Sequence, residues 1–346
     1  MGIAFVHLKA ILLILHIMLI DNHGREINYM RLAVTDRCNL RCFYCMPEEG
    51  ITYAPKKELM SFAEMYHIVD LFSKHGIDKI RITGGEPFLW KDMMTFLDAI
   101  SKIPTLSKIS ITTNGTLIHD KVDRLKSVGI NTVNLSLDSI DSDRFFQITR
   151  RDDFSKVMES MDLMIQSGIH VKLNMVVMNG RNIEDIIPML ELARDKPISV
   201  RYIEEMPFNG TQGQGNKTLW THTQILDLIT THFPKVQKLV DPPASTAMNY
   251  KVPGFKGDFG IIAAYSRTFC GTCNRIRLTP KGVIKTCLYD DGIFNVKDMM
   301  RSGANDEELI GALQSALGNR AKDGREAEQN RKALNPISES MATIGG

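Results

Sequence analysis

Cys38, Cys42 and Cys45 stand at C-x3-C-x2-C spacing. Three thiolates so placed can hold three corners of a cubane iron–sulfur cluster, whose four irons ordinarily take four cysteines. The fourth iron is then open to a substrate or cofactor, as in a metal site built for chemistry rather than structure. A zinc site or buried structural cysteines are the competing readings. Zinc would want a fourth protein ligand nearby, and the nearest histidines, His23 and His67, stand at no useful spacing. A second group repeats the pattern: Cys270 and Cys273 at C-x2-C, then Cys287 after thirteen intervening residues. Zinc with a missing fourth ligand is again the alternative. Between these cysteines runs Asn274-Arg275-Ile276-Arg277. Residues i and i+2 of a strand share a face. Two guanidiniums beside an open metal site suit bidentate phosphate binding, whereas alone they would be a solvated β face. Gly84-Gly85-Glu86-Pro87 closes an alternating run at 79–83. Glycines at the C-terminal end of a strand let a ligand approach the backbone closely, or they form only a turn.

Strands and helices alternate from about residue 30 to 235. The patterns predict strands at 31–35, 79–83, 108–113, 132–137, 170–177 and 198–204. Helical patterns fall at 61–75, 91–101, 119–128, 154–167, 183–194 and 221–232. Repeated βα units imply a parallel sheet, here an open or partial barrel of six units. The strands are polar on one face: Lys79, Arg81 and Thr83; Ser110, Thr112 and Asn114; Asn134, Ser136 and Asp138; Lys172 and Asn174. Ile80, Ile82, Ile111, Leu135, Val171 and Leu173 point the other way. In a β/α barrel the apolar face lies under helices, so the polar face is the lumen. Unpaired cations there would cost several kcal/mol each. A lumen holding Lys79, Arg81 and Lys172 therefore holds an anionic ligand, unless the sheet is open and solvated. Arg201 sits on a strand that alternates less cleanly.

After about residue 238 the pattern changes. Pro242-Pro243 and a Gly/Pro-rich 253–260 mark a boundary, and short strands follow at 260–265, 275–279 and 283–287. Residues 305–335 read as polar helix, and 338–343 show no pattern for a buried element. Met158, Met161 and Met164 read as helix core, and Asp290-Asp291-Gly292 as a turn.

The chain has 346 residues, 43% apolar and 24% charged, an ordinary globular composition long enough for two domains. A formal net charge of +2 argues neither for nor against a nucleic-acid surface. Two odd groups of cysteines do not pair as a disulfide framework, so a reducing compartment fits, and we expect the cytoplasm. Residues 2–20 are strongly apolar but carry His7, Lys9 and His16. No basic region precedes them and no small-residue cleavage site follows. We expect residues 1–17 to be an extension, or the product of an early start with Met18 as the working first residue, rather than a membrane anchor.

With Tyr44 before the last cysteine of the first group, and with Gly84–Pro87, the chain resembles the radical S-adenosylmethionine (SAM) superfamily. The C-terminal cysteines, Asn274-Arg275-Ile276-Arg277 and the terminal Gly345-Gly346 narrow the resemblance to the GTP 3′,8-cyclase family of molybdenum cofactor biosynthesis. It runs from about Leu19 to the last residue. It implies a partial (βα)6 barrel over 18–238, a smaller C-terminal α+β domain over 239–336 carrying a second iron–sulfur cluster, and a 337–346 tail reaching the active site. It implies two [4Fe–4S] clusters and SAM as cofactors. Cys38, Cys42 and Cys45 would hold the SAM-binding cluster, with Tyr44, Gly85, Ser136 and Met206 contacting SAM. Cys270, Cys273 and Cys287 would hold the cluster that meets the guanine of GTP. Arg31, Arg81, Thr112, Lys172, Arg275 and Arg277 would contact GTP. The implied reaction takes hydrogen from ribose C3′ of GTP and joins C3′ to guanine C8. Gly345 and Gly346 would guide that step; by composition alone they would be a frayed terminus. The implied partners are an electron donor such as flavodoxin or ferredoxin and a downstream cyclic pyranopterin monophosphate synthase. A homodimer fits, and no nucleic acid is expected. Another radical SAM enzyme with an auxiliary cluster, or a non-catalytic iron–sulfur electron carrier, are the rival readings.

Overall fold

A computed structural model of the chain describes residues 18–46, 50–206, 219–331 and 340–344. Six strands lead the architecture: β1 (Tyr29–Ala33), β2 (Lys79–Thr83), β3 (Lys108–Thr113), β4 (Thr132–Ser136), β5 (His170–Val177) and β6 (Ser199–Glu204). Between and after them lie α1 (Phe62–Ser73), α2 (Met93–Ile100), α3 (Val122–Ser127), α4 (Ser142–Thr149), α5 (Phe154–Gln166), α6 (Ile186–Asp195) and α7 (His222–His232). The six strands pair in chain order, every neighbour parallel. Ile80, Ile82, Ile111, Leu135, Val171 and Leu173 are fully buried on one side of this sheet. Each such side chain contributes roughly 1.5–3 kcal/mol by leaving water. Local signals set the helix starts. Ser61 Oγ accepts from the Glu64 amide at the head of α1, and the Glu64 carboxylate accepts from the Ser61 amide. A cap of this kind contributes about 1 kcal/mol.

The C-terminal strands extend both edges of the same sheet. β9 (Asp258–Ile262) lies parallel to β6, with β8 (Met248–Lys251) and β7 (Gln237–Lys238) antiparallel beyond it. On the far side β10 (Arg275–Leu278) lies parallel to β1, followed by antiparallel β11 (Val283–Lys285) and β12 (Phe294–Asn295). The order β12-β11-β10-β1-β2-β3-β4-β5-β6-β9-β8-β7 leaves the sheet open, a partial barrel. Pro242-Pro243 belongs to the β7–β8 connection, which lines the central cavity.

Three readings of the sequence change. Residues 305–335 are two helices, α9 (Asp306–Gly318) and α10 (Gly324–Gln329), after a short α8 (Val296–Arg301). α9 is amphipathic, burying Leu309, Leu313 and Leu317. The run 338–343 does contain a buried element: α11 (Met341–Ile344) buries Ala342 and Ile344, with Ser340 buried just before it. Four residues are too few to show periodicity in sequence. The sequence pattern shows no helix at α4, because its charged residues mask Phe145 and Ile148, which are buried on one face. Among the described residues no helix is long and apolar enough to cross a membrane.

Candidate active site

Topology sends the two cysteine groups to opposite ends of the barrel. Cys38, Cys42 and Cys45 follow the C-terminal end of β1. Cys270 and Cys273 precede the N-terminal end of β10, which is parallel to β1. Cys287 follows β11, which runs antiparallel to β10 and so ends at that same side. A cavity of about 720 Å³ joins the two groups, and all six cysteines line it. All six are free and half-buried. Among the described residues no three Cys, His, Asp or Glu side chains close tightly around a single-ion centre. A cubane, taking one thiolate at each of three corners, spreads its ligands more widely than zinc does.

The first cysteine loop leans on the Gly-Gly turn. The Gly85 amide donates to Thr35 O at 2.9 Å and the Glu86 amide to Arg37 O at 2.7 Å. A Cβ on Gly85 would stand 2.2 Å from Arg37 O, and one on Gly84 would stand 2.5 Å from Thr35 O. Gly84 also has φ +147°, which side-chain-bearing residues rarely adopt. These glycines therefore admit the backbone that carries Cys38, besides facing the cavity. Glu86 is fully buried and accepts from the Phe88 amide, Thr113 Oγ1 and the Asn114 amide. Burial pushes its carboxyl up to about 7 against those three bonds. Asn114 in turn donates to Asn39 Oδ1 at 2.9 Å and faces Cys38 Sγ at 3.8 Å. Tyr44 Oη donates to Asp138 Oδ2 at 2.7 Å, and Asp138 Oδ1 accepts from the Val176 amide at 2.8 Å. Burial, and then the Glu86 carboxylate, push the Cys38 thiol up to about 12; burial raises Cys42 and Cys45 as well. A buried thiolate needs a compensating cation, which iron supplies on ligation. The donor set fits an iron–sulfur cluster.

The second group has a different electrostatic setting. Burial opposes it, yet the Arg275 and Arg320 guanidiniums pull the Cys273 thiol down to about 6. Arg275 Nη2 lies 3.4 Å and Arg320 Nη2 3.2 Å from Cys273 Sγ. Asp290, read from sequence as part of a turn, shapes the Cys287 loop. Its Oδ2 accepts from the amides of Thr286 and Cys287 and from Thr286 Oγ1.

Strand register builds the wall between the groups. Arg31 pairs with Arg277 on one side and Arg81 on the other. Tyr29 pairs with Arg275 and Lys79, and Lys79 pairs with Lys108. One cationic row thus crosses β10, β1 and β2, and a second, with Tyr29 on β1, runs from β10 to β3. Arg31 Nε, Arg81 Nε, Thr112 Oγ1 and Tyr29 Oη are buried without a hydrogen-bond partner. Burial, and then Arg201, Lys108 and Arg81, pull Lys172 down to about 8. Burial and Arg277 lower Arg31. Burial opposes the change at Tyr29, but Arg81, Arg31, Lys79 and Arg275 together bring its phenol down to about 8. Lys79 Nζ sits 4.2 Å from the centre of that ring. Arg201 differs, being paired with Asp258 at 3.0 Å. Like charges held this close repel one another, and a bound anion would offset that repulsion.

Every site residue named from the sequence that lies among the described residues lines this one cavity, including Tyr44, Gly85, Ser136 and Met206. Gly345, Gly346 and residues 1–17 lie outside the described residues. Sequence reasoning missed Tyr29, Lys108, Asp290 and Arg320. Strand alternation places Asn114 and Asp138 in the lumen but does not by itself show their hydrogen-bond roles. Tyr29 could have been found by extending the polar alternation one pair upstream of Arg31. Nothing local marks Arg320.

The radical SAM superfamily pattern matches residues 32–193. The Molybdenum Cofactor Synthesis C pattern matches residues 198–325. The chain is 40% identical over 303 residues to molybdenum cofactor biosynthesis protein 1 of Dictyostelium discoideum, covering 86% of this chain but 48% of that one. It thus spans about half the length of that relative. It is 38% identical over 330 residues to the GTP 3′,8-cyclase of Syntrophomonas wolfei, covering 92% of this chain and 99% of that one. In fold it is similar to Streptococcus suis SuiB bound to S-adenosylmethionine, with TM-score 0.56 and 17% identity over 85% of this chain and 69% of that one.

Proposed function

We propose that this chain, which belongs to the GTP 3′,8-cyclase family of the radical SAM superfamily, converts GTP to (8S)-3′,8-cyclo-7,8-dihydroguanosine 5′-triphosphate, the first step of molybdenum cofactor biosynthesis. The observation that carries this reading is one cavity with three thiols at each end and rows of cations between them. Cys38, Cys42 and Cys45 would hold a [4Fe–4S] cluster, which with SAM and one electron from a donor would supply a 5′-deoxyadenosyl radical. We assign a second cluster to Cys270, Cys273 and Cys287, on the strength of their matching donor set.

The chain's own residues bind, orient and shield. Tyr44, locked by Asp138, together with Gly85, Ser136 and Met206 forms the SAM side of the cavity. Arg31, Arg81, Lys172, Arg275 and Arg277 receive the triphosphate, whose charge offsets their mutual repulsion. Lys79 and Lys108 stand in the adjoining row. Thr112 Oγ1, buried and without a partner, is free to bond the sugar. The buried walls keep stray C–H and S–H donors from a radical that would otherwise take hydrogen from them. Met341 and Ala342 of α11 line the cavity, which supports a Gly345-Gly346 tail entering it to guide the reaction. An electron donor of flavodoxin or ferredoxin type, a downstream cyclic pyranopterin monophosphate synthase and a homodimer belong to the same reading.

An anaerobic assay tests it. Reconstituted protein should release 5′-deoxyadenosine only with GTP present and yield the cyclised product. Replacing Cys38, Cys42 and Cys45 by Ala should leave one cluster and no release, and replacing the other three should leave the other cluster. Two zincs and no labile sulfide would sink the reading.

A further inference from the structure

Arg320 lies in the link between α9 and α10, where the sequence reads as a polar surface. It is 4% exposed. A guanidinium has five N–H donors, and here five hydrogen bonds leave it. Nε donates to Thr286 O at 3.1 Å. Nη1 donates to Asp21 Oδ2 at 3.0 Å and to Cys273 O at 2.9 Å. Nη2 donates to Cys273 Sγ at 3.2 Å and to Arg275 O at 2.9 Å. One side chain thus touches the backbone of Cys273 and of Arg275 two residues on, the residue before Cys287, and a sulfur. Asp21, with no side-chain exposure, anchors it and also takes Arg25 Nε at 2.6 Å. Arg25 donates to Cys270 O at 3.0 Å and shares Asp21 with Arg320, but it donates to no cysteine sulfur. The N-terminal hairpin around the Ile20–Glu26 bridge and the α9–α10 link therefore close jointly over this cysteine group.

The two ends of the cavity are unequal. Cys273 Sγ meets two guanidiniums. Cys38 Sγ meets a neutral amide, Asn114 Nδ2, at the longer 3.8 Å. Reduction adds negative charge to a cluster. Cationic donors to its sulfurs favour the reduced state and raise its potential.

We propose that Arg320 is the positioning residue of the second centre, holding the Cys273 and Cys287 loops at ligating distance and raising the reduction potential of the cluster bound there. The proposal rests on the reading that Cys270, Cys273 and Cys287 hold an iron–sulfur cluster.

The test uses the full chain with Cys38, Cys42 and Cys45 changed to Ala, so that only the second centre is observed. Iron and sulfide are counted after anaerobic reconstitution. The midpoint potential is read by a redox titration followed by electron paramagnetic resonance, and iron loss is timed with a chelator. Arg320→Gln should move the midpoint to more negative potential and speed iron loss at least tenfold. Arg320→Lys, which keeps the charge without the fork, should fall between that and the parent. Arg25→Gln is the control: it loosens the same hairpin without removing a sulfur contact, so it should lower thermal stability and leave the midpoint in place. A midpoint unmoved in both Arg320 variants, or moved as far by Arg25→Gln, overturns the proposal. If Arg320→Gln does not fold, the Arg320→Lys midpoint decides alone. A parent chain that binds no iron or sulfide overturns the second-cluster reading itself, and the role of Arg320 falls with it.

Discussion

The cations of the cavity wall differ in how free they are to meet a ligand. Arg201 already has Asp258, whereas the Nε atoms of Arg31 and Arg81 have no partner. Arg275 and Arg277 frame the second cysteine group on one strand. Arg275→Ala or Arg277→Ala should weaken GTP binding by roughly 1.5–3 kcal/mol, the range for hydrogen bonds to charged groups. Guanosine without phosphates should bind wild type poorly and hardly notice either change. Equal losses for both ligands in equilibrium binding would mean that the arginines serve folding. Lys172 and Tyr29 add a pH dependence. Each is depressed to about 8, from 10.5 and 10.0 respectively. A polyanion binds best when Lys172 is charged and Tyr29 neutral, so it raises both values on binding. Affinity for GTP should be level below about pH 8. Above that it should fall by about tenfold per pH unit for each group, until the bound-state value is reached. Tyr29→Phe and Lys172→Met should each remove their own share of the slope in titrations from pH 7 to 9.5. A flat wild-type profile would show that no polyanion meets these groups.

At the level of elements, the β2–α2 turn and the loop after β1 are one unit. The Gly85 and Glu86 amides support the Cys38 loop, and Glu86 ties that turn to the end of β3. A methyl at Gly85 would fall 2.2 Å from Arg37 O, a backbone atom that cannot swing aside. Gly85→Ala should therefore displace the Cys38 loop. The protein should lose the first cluster and keep the second, giving half the wild-type iron after reconstitution. Full iron content with normal 5′-deoxyadenosine release would show that the loop tolerates the shift. α11 is the counterpart at the other end of the chain. Ser340 Oγ donates to Cys45 O at 2.7 Å, and Ile344 packs with Tyr289 near Cys287. The short segment 340–344, the helix and the serine before it, thus touches both ends of the cavity.

Across the whole molecule, the C-terminal segment completes the barrel rather than standing beside it. β10 covers the edge of β1 and β9 covers the edge of β6. Ile276, Leu278, Phe259 and Ile261 are fully buried there. A chain cut after residue 238 would expose both edges, each a template for aggregation. Residues 18–238 expressed alone should be insoluble, and co-expression with 239–346 should return a soluble complex. A soluble, cooperatively unfolding 18–238 fragment would show instead that the boundary near 238 separates independent folding units. The inequality between the two cysteine groups also belongs to this scale, because Asp21, Cys273 and Arg320 come from opposite ends of the chain.

Much of this was legible in sequence because it is local. Strand alternation has a period of two, so Lys79, Arg81, Thr112, Lys172 and their apolar neighbours sort to two faces without any knowledge of the fold. The strands at 79–83, 108–113 and 170–177 form as the pattern predicts. Tertiary structure decided what depends on contact between distant segments. The parallel pairing of β10 with β1 puts Arg277 beside Arg31, two residues almost 250 positions apart, and leaves no trace in either local pattern. Gly85 looks like a place for a ligand until the backbone of Arg37 is found against it. Arg320 sits in an ordinary polar stretch, and only the closure of the N-terminal hairpin and the α9–α10 link over Cys273 makes it a buried donor. Periodicity records which way a side chain points; which distant partner it meets is set by packing, and no short stretch of chain encodes that.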